Sequence, residues 1–110
     1  MENAVHDLTG LEIAIIGMAG RFPGANSIGA FWSKLCNGVE SISHFSATEL
    51  ARNQIPPSLL RDKHYVKSSA IIDDVDMFDA TFFGYTPREA ATMDPQHRIF
   101  LECAWEALES

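Results

Sequence analysis

The chain has 110 residues, 46% hydrophobic and 21% charged, without a low-complexity tract, a composition that excludes intrinsic disorder. Its formal net charge is −7 and its eight Lys and Arg are scattered, which excludes a nucleic-acid partner and opposes docking on an anionic membrane. Its two cysteines, Cys36 and Cys103, lie far apart with no CxxC pair, so a disulfide scaffold and a cysteine-rich zinc site are excluded and a reducing cytoplasm is the expected home.

Residues 1–11 read as a polar leader. They carry Glu2, His6 and Asp7 and lack the basic start of a signal peptide. No later stretch reaches the roughly eighteen apolar residues of a membrane span. The run EIAIIG at 12–17 is apolar and β-branched and ends in glycine, which predicts a buried strand. Pro23 and Gly24 mark a turn, and Asn26-Ser27 supplies an N-cap. The stretch IGAFWSKLCN then predicts a helix, because Ile28, Phe31, Trp32 and Leu35 share one face; Gly38 is its stop.

Residues 39–67 read as irregular, with one short helix started by the capping box Ser46-Ala-Thr-Glu49. Pro56-Pro57 interrupts, and a turn or two follows in SLLRDKHY. The stretch SSAII at 68–72 predicts a second short strand, running into a loop with buried aromatics. Thr86, Pro87 and Glu89 stand at N-cap, N1 and N3 of a helix. Asp94-Pro95 starts another at once, and proline biases Asp94 away from helical angles, so a kink is expected between the two. The long helix from 95 places Ile99, Cys103 or Ala104, Ala107 and Leu108 on one side, Trp105 alongside, and Glu102, Glu106 and Glu109 largely opposite. Two short strands cannot make a stable sheet by themselves. The pattern therefore predicts an α/β fold in fragment form, with the rest of its sheet further along the polypeptide.

Three glycines after the first apolar run invite a phosphate-binding reading. The dinucleotide fingerprint fails, because Ala19 and Phe22 stand where its second and third glycines belong. The P-loop fails as well: Gly24 and Gly29 have the spacing, but Ala30-Phe31 replaces Lys and Ser/Thr. The glycines read instead as permitting tight backbone turns. The acidic cluster Asp73, Asp74, Asp76 and Asp79 fails as a calcium loop, with Phe78 at the fifth position from Asp74 and Tyr85 at the twelfth.

No cysteine has a base at helical spacing. His97 precedes Cys103 by six residues, about 600° of helix rotation, so their side chains point apart. His6, His44 and His64 form no metal-binding pattern, and no G-x-S-x-G occurs. Glu89 suits a capping role. Arg88 could pair with an acidic neighbour or line a partner surface. From these residues alone, the chain carries no self-sufficient active site.

The stretches IAIIGMAGRFPGA, FWSKLCNGVESI and DDVDMFDATFFGYTPREAATMDPQHRIFLECAWEALE resemble the start of a β-ketoacyl synthase domain of a modular type I polyketide synthase. The resemblance covers about residues 12–109. It departs at Gly20, where many relatives have Cys, and at His44-Phe45-Ser46, where the family has an RWD-type triplet. It implies a thiolase-like fold, α/β/α/β/α, of which residues 12–110 are the amino-terminal part. It also implies decarboxylative Claisen condensation of acyl and malonyl-type thioesters carried on phosphopantetheine by acyl carrier protein. The family's catalytic Cys and two His lie in motifs that follow the point reached by Ser110. The resemblance therefore assigns no catalytic, cofactor-binding or metal-binding residue to this stretch, which is expected to be inactive alone. Other synthase domains, and a homodimeric partner in the complete domain, are the implied partners. The competing readings are a non-catalytic interaction module of a synthase assembly and, more remotely, a nucleotide-binding protein.

Overall fold

A computed structural model describes residues 8–110; of the predicted polar leader, residues 1–7 lie outside the described residues. The chain forms five helices and one small sheet among the described residues, in the order α1 (Ile28–Cys36), β1 (Ile42–His44), α2 (Ala47–Arg52), α3 (Pro57–Leu60), β2 (Ser68–Ala70), α4 (Pro87–Thr92) and α5 (Pro95–Glu109).

The helices begin where the local signals put them. Ser27 caps α1 by accepting from the Ala30 N–H at 3.1 Å, and Gly38 follows its end at φ 63°. Ser46 and Glu49 close a capping box on α2, and Thr86 and Glu89 close a second on α4. Asp94 caps α5 through the Gln96 N–H at 2.8 Å. The predicted kink is the two extended residues Met93 and Asp94, with ψ of 137° and 132°. Each of these caps satisfies amide groups that would otherwise lack a partner, using residues within four positions.

The strands are another matter. β1 lies inside the stretch predicted to be irregular. It pairs antiparallel with β2 in the register Ile42↔Ala70, Ser43↔Ser69 and His44↔Ser68. The Phe45 N–H to Lys67 carbonyl bond, 2.8 Å, continues the pairing beyond the ladder. β2 stops at Ala70, two residues short of the predicted 68–72, because β1 offers it only three partners.

The predicted buried strand at 12–17 is corrected outright. The segment has no strand pairing, its backbone groups make no hydrogen bond among the described residues, and Ile13, Ile15 and Ile16 are 94%, 81% and 90% exposed. The physical reason is that a strand is stabilised by neighbours on its edges and faces, and the chain supplies none here. The segment is entered through a turn fixed by Glu12, whose carboxylate accepts from the Thr9 N–H, Thr9 hydroxyl and Gly10 N–H at 2.6, 2.8 and 2.8 Å. Those donors, the Thr9 backbone first, hold the Glu12 carboxyl down at about 2.

The same scarcity of partners marks the described residues as a whole. Ala25 is the one buried hydrophobic residue among those described. The radius of gyration is 20.1 Å, against about 13 Å for a closed domain of this length. Aromatic packing is confined to a few pairs. Phe22 stacks on Phe31 with ring centroids 4.0 Å apart, and Phe82 meets Trp105 edge-on at 4.7 Å. These pairs seat the loop at 21–25 on α1 and the aromatic loop at 78–85 on α5.

Candidate functional site

The glycine-rich loop, the first feature with a chemical reading, is a packing device. Phe22 and Ala25 exchange backbone hydrogen bonds of 2.8 and 2.9 Å around Pro23-Gly24, and Gly24 takes φ 70°, the angle that the turn requires. Lys34 of α1 donates to the Gly24 carbonyl and ties the turn to the helix. Gly17 is corrected from a turn residue to a close-approach residue: a Cβ there would lie 2.1 Å from the Ala107 carbonyl oxygen at the end of α5. The P-loop lysine and hydroxyl are absent from the loop, so no phosphate cradle is completed.

The loop also carries Arg21, which lines a polar cleft beside α5. The guanidinium forms a two-pronged ion pair with Glu106, one prong at 2.9 Å, and lies 4.0 Å from Glu102. It further donates to the Gly20 and Asn26 carbonyls at 3.3 and 3.4 Å. Glu102 and Glu106 thus turn toward the loop rather than away from the packed side of α5, which corrects the predicted placement of the acidic face. The cleft beside this pair, about 300 Å³, is closed by Asp73, Asp74 and Ile99. Its chemistry is self-contained. The Arg21 charge is matched by two carboxylates, and its hydrogen bond holds the Glu106 carboxyl below the usual carboxylate range. A carboxylate so held is a poor proton acceptor at neutral pH.

Cys103 lies half-buried on α5 near Arg21. Burial pushes its thiol up, Arg21 opposes that, and Glu106 and Glu102 reinforce it. The net direction disfavours the thiolate that a nucleophile requires. His97 is exposed in the first turn of α5, about 9 Å along the axis from Cys103 at helical rise. Cys36 is exposed in the last turn of α1. His44 Nδ1 lies 2.7 Å from Ser68 Oγ across the ladder. No carboxylate orients that imidazole among the described residues, so the contact reads as a cross-strand pair. The side chain of His64 is exposed on the loop after α3, and His6 lies outside the described residues.

Glu89 accepts from the Thr86 N–H and hydroxyl at 2.7 and 2.8 Å, and Thr86 holds its carboxyl low, as a capping residue. Arg88 is exposed and makes no hydrogen bond or ion pair among the described residues. Of the acidic cluster, Asp79 accepts from the Phe82 N–H at 3.0 Å, and Asp74 sits at φ 55°. No group of three or more His, Cys, Asp or Glu is placed to hold a metal among the described residues. Among the same residues, no helix is long and apolar enough to cross a membrane.

Sequence reasoning missed Arg98. Its guanidinium donates to the carbonyls of Ala90 and Met93 at 2.9 and 3.1 Å, and of Val75 at 3.0 Å. It therefore fastens the end of α4, the start of α5 and the acidic loop to one another. Its Nε is buried without a partner among the described residues. No spacing rule marks such a residue, because its partners are backbone carbonyls. For Arg21 a weak signal did exist: Glu102 and Glu106 are one helical turn apart and share a face.

The comparisons with known proteins agree with one another. The profile of the β-ketoacyl synthase amino-terminal domain matches residues 11–110. A component of the phenolphthiocerol/phthiocerol polyketide synthase of Mycobacterium tuberculosis is 52% identical over 97 residues, 88% of this chain and 6% of that protein. Polyketide synthase PksN of Bacillus subtilis is 40% identical over 98 residues, 89% of this chain and 2% of that one. Among solved structures, ketosynthase twelve of the bacillaene polyketide synthase of Bacillus amyloliquefaciens superposes with a TM-score of 0.76 at 38% identity, over 87% of this chain and 17% of that one. An oxazolomycin ketosynthase domain of Streptomyces albus gives 0.72 at 34% identity, over 89% and 17%. The chain spans a small fraction of each relative, and its helices and loops follow the opening part of those folds. It belongs to the β-ketoacyl synthase family, as the amino-terminal portion of a thiolase-like polyketide ketosynthase domain.

Proposed function

We propose that the chain supplies the opening portion of a ketosynthase domain that performs decarboxylative Claisen condensation. In that reaction an acyl group passes from phosphopantetheine on acyl carrier protein to a cysteine thiolate of the domain. A malonyl-type thioester then loses CO₂, and its α-carbon bonds to the acyl carbonyl carbon as the cysteine thiolate departs. Carrier protein, neighbouring synthase domains and a second copy of the complete domain are the partners of this reading, which is set in the cytoplasm. The role of the present residues is to frame the fold: none of them touches the reacting thioesters.

The observation that carries the reading is the likeness to solved ketosynthases over 87% of the chain at 38% identity. Cys103 supports the division of labour, since its thiol is pushed up and no base faces it among the described residues. The purified chain, mixed with acyl- and malonyl-loaded carrier protein, is expected to release no CO₂ above background. Turnover by the chain alone would overturn this role. A second reading, an interaction module within a synthase assembly, is favoured by the bare apolar surface. A monodisperse, folded 110-residue protein with slow amide exchange at 12–17 would select it.

A further inference from the structure

We propose that Asn37 is a site of spontaneous modification, at which a succinimide formed with Gly38 opens to aspartate and isoaspartate and so releases the lock that Asn37 places on the end of α1.

Two helices of this chain end in the same way. Asn37 closes α1 and Asn53 closes α2, and each turns its side chain back on its own helix. Asn37 Nδ2 donates to the Ser33 carbonyl at 2.8 Å, and Asn53 Nδ2 donates to the Glu49 carbonyl at 2.9 Å. The next residue takes φ 63° in both, Gly38 in one and Gln54 in the other. The Gly38 N–H donates to the Leu35 carbonyl and the Gln54 N–H to the Ala51 carbonyl, both at 3.1 Å. The following amides, of Val39 and Ile55, donate to the Lys34 and Leu50 carbonyls at 3.0 and 3.2 Å. One cap is thus built twice, with the paired bonds that close a helix on a left-handed residue. Every bond in it is made within the helix end itself, so the cap owes nothing to distant parts of the fold.

The two caps differ in the residue that follows asparagine, and the difference is chemical. In an Asn-Gly pair the glycine nitrogen closes readily on the asparagine Cγ, because no Cβ stands in its way. A bond forms between Gly38 N and Asn37 Cγ, the Cγ–Nδ2 bond breaks, and the amide leaves as ammonia with the proton from Gly38 N. Water then adds to either carbonyl of the five-membered imide. Cleavage of the new N–Cγ bond leaves aspartate, and cleavage of the original peptide bond leaves isoaspartate, with the chain running through the side chain. Nothing is oxidised or reduced. At Asn53 the side chain of Gln54 obstructs the same closure.

The cap gates the reaction. Its bonds direct the Asn37 side chain to Ser33 and occupy the Gly38 N–H, which keeps the attacking nitrogen and Cγ apart while the turn is closed. Helix ends open at low cost, and the attack takes place in the opened turn. Afterwards the turn does not close as before. A carboxylate at this position has no donor for the Ser33 carbonyl, and it adds negative charge at the negative end of α1. Lys34, which ties this last turn to the Gly24 carbonyl, loosens with it.

The test holds the full chain, folded, in mildly alkaline buffer and follows both asparagines by peptide mapping, with isoaspartyl methyltransferase as the probe for isoaspartate. Asn37 is expected to convert at least about tenfold faster than Asn53, with isoaspartate among the products. Gln54→Gly is expected to bring Asn53 up to the rate of Asn37, since it gives the second cap the residue pair of the first at a backbone angle that glycine adopts freely. Asn37→Asp is expected to speed amide exchange at Gly38 and Val39 several-fold and to leave Gln54 and Ile55 unchanged. Equal rates at the two asparagines, conversion confined to denaturant, or aspartate without isoaspartate overturns the proposal. So does an inert Asn53 in the Gln54→Gly variant, or unchanged exchange in Asn37→Asp.

Discussion

Two apolar stretches of the chain meet different fates. Residues 11–18 lie open to solvent, whereas residues 85–109, which also carry many apolar side chains, form a capped, kinked pair of helices held to the acidic loop. The second stretch finds its partners nearby. Thr86 and Asp94 satisfy the first amides of their helices, Arg98 takes three carbonyls within twenty-three positions, and Trp105 meets Phe82. The first stretch needs strands and layers, which are long-range partners by nature. Helical hydrogen bonds are made inside the segment that forms them, and sheet hydrogen bonds are not. Composition alone therefore does not decide which apolar stretch becomes ordered secondary structure.

Removing the fastener of the ordered stretch should produce the largest change. Arg98→Met deletes three charge-assisted hydrogen bonds and is expected to cost about 2–3 kcal/mol of local stability. Amide exchange around Met77 and through α4 should speed up by about 30- to 160-fold at that energy, 1.36 kcal/mol being about a factor of ten; unchanged exchange would mean that the elbow is held by helix caps alone. Gly17→Ala sharpens the contrast from the other side. Its Cβ would collide with the Ala107 carbonyl, so the segment and the end of α5 must part, at a cost of about 1–2 kcal/mol. Loss of the nuclear Overhauser contacts between residue 17 and α5 is the expected signature, and their survival would show that the close approach is not fixed.

The smallest effect belongs to the ion pair that joins the glycine loop to α5. Glu106 has its folded pKa depressed by Arg21, so the pair stabilises above the unfolded carboxylate range, about 4.3, and that contribution is lost as pH falls through the folded pKa. Glu106 is 45% exposed, which limits the effect to well under about 1 kcal/mol. Acid titration followed at the Arg21 Nε–H should show loosening of the loop at low pH, and Glu106→Gln should remove that pH dependence. Unaltered titration in the variant would assign the transition to another carboxylate.

The same division explains what the sequence disclosed. The capped helix starts could be read from their caps and prolines, because those signals act within a single turn. Pro95 even announced the kink at Asp94. The thiolase-like architecture came only from resemblance, since the sheet that defines it is not formed by these residues. β1 went unread because Ile42, Ser43 and His44 alternate too briefly to stand out from a loop, and Ser68–Ala70 alone gives them a ladder. The cleft was half legible: its acidic residues were counted, but Arg21 could not be paired with Glu106 without knowing that the glycine loop folds over α5.

The elbow between α4 and α5 sets a rule about length. Arg98 lies one turn into α5 and reaches back to the closing carbonyls of α4, so the grip depends on the number of residues between them. A single residue inserted after Pro95 would swing the guanidinium about 100° around the axis and carry Trp105 away from Phe82 in the same rotation. Substitution at the exposed positions of this joint keeps the spacing that Arg98 needs, whereas insertion destroys it.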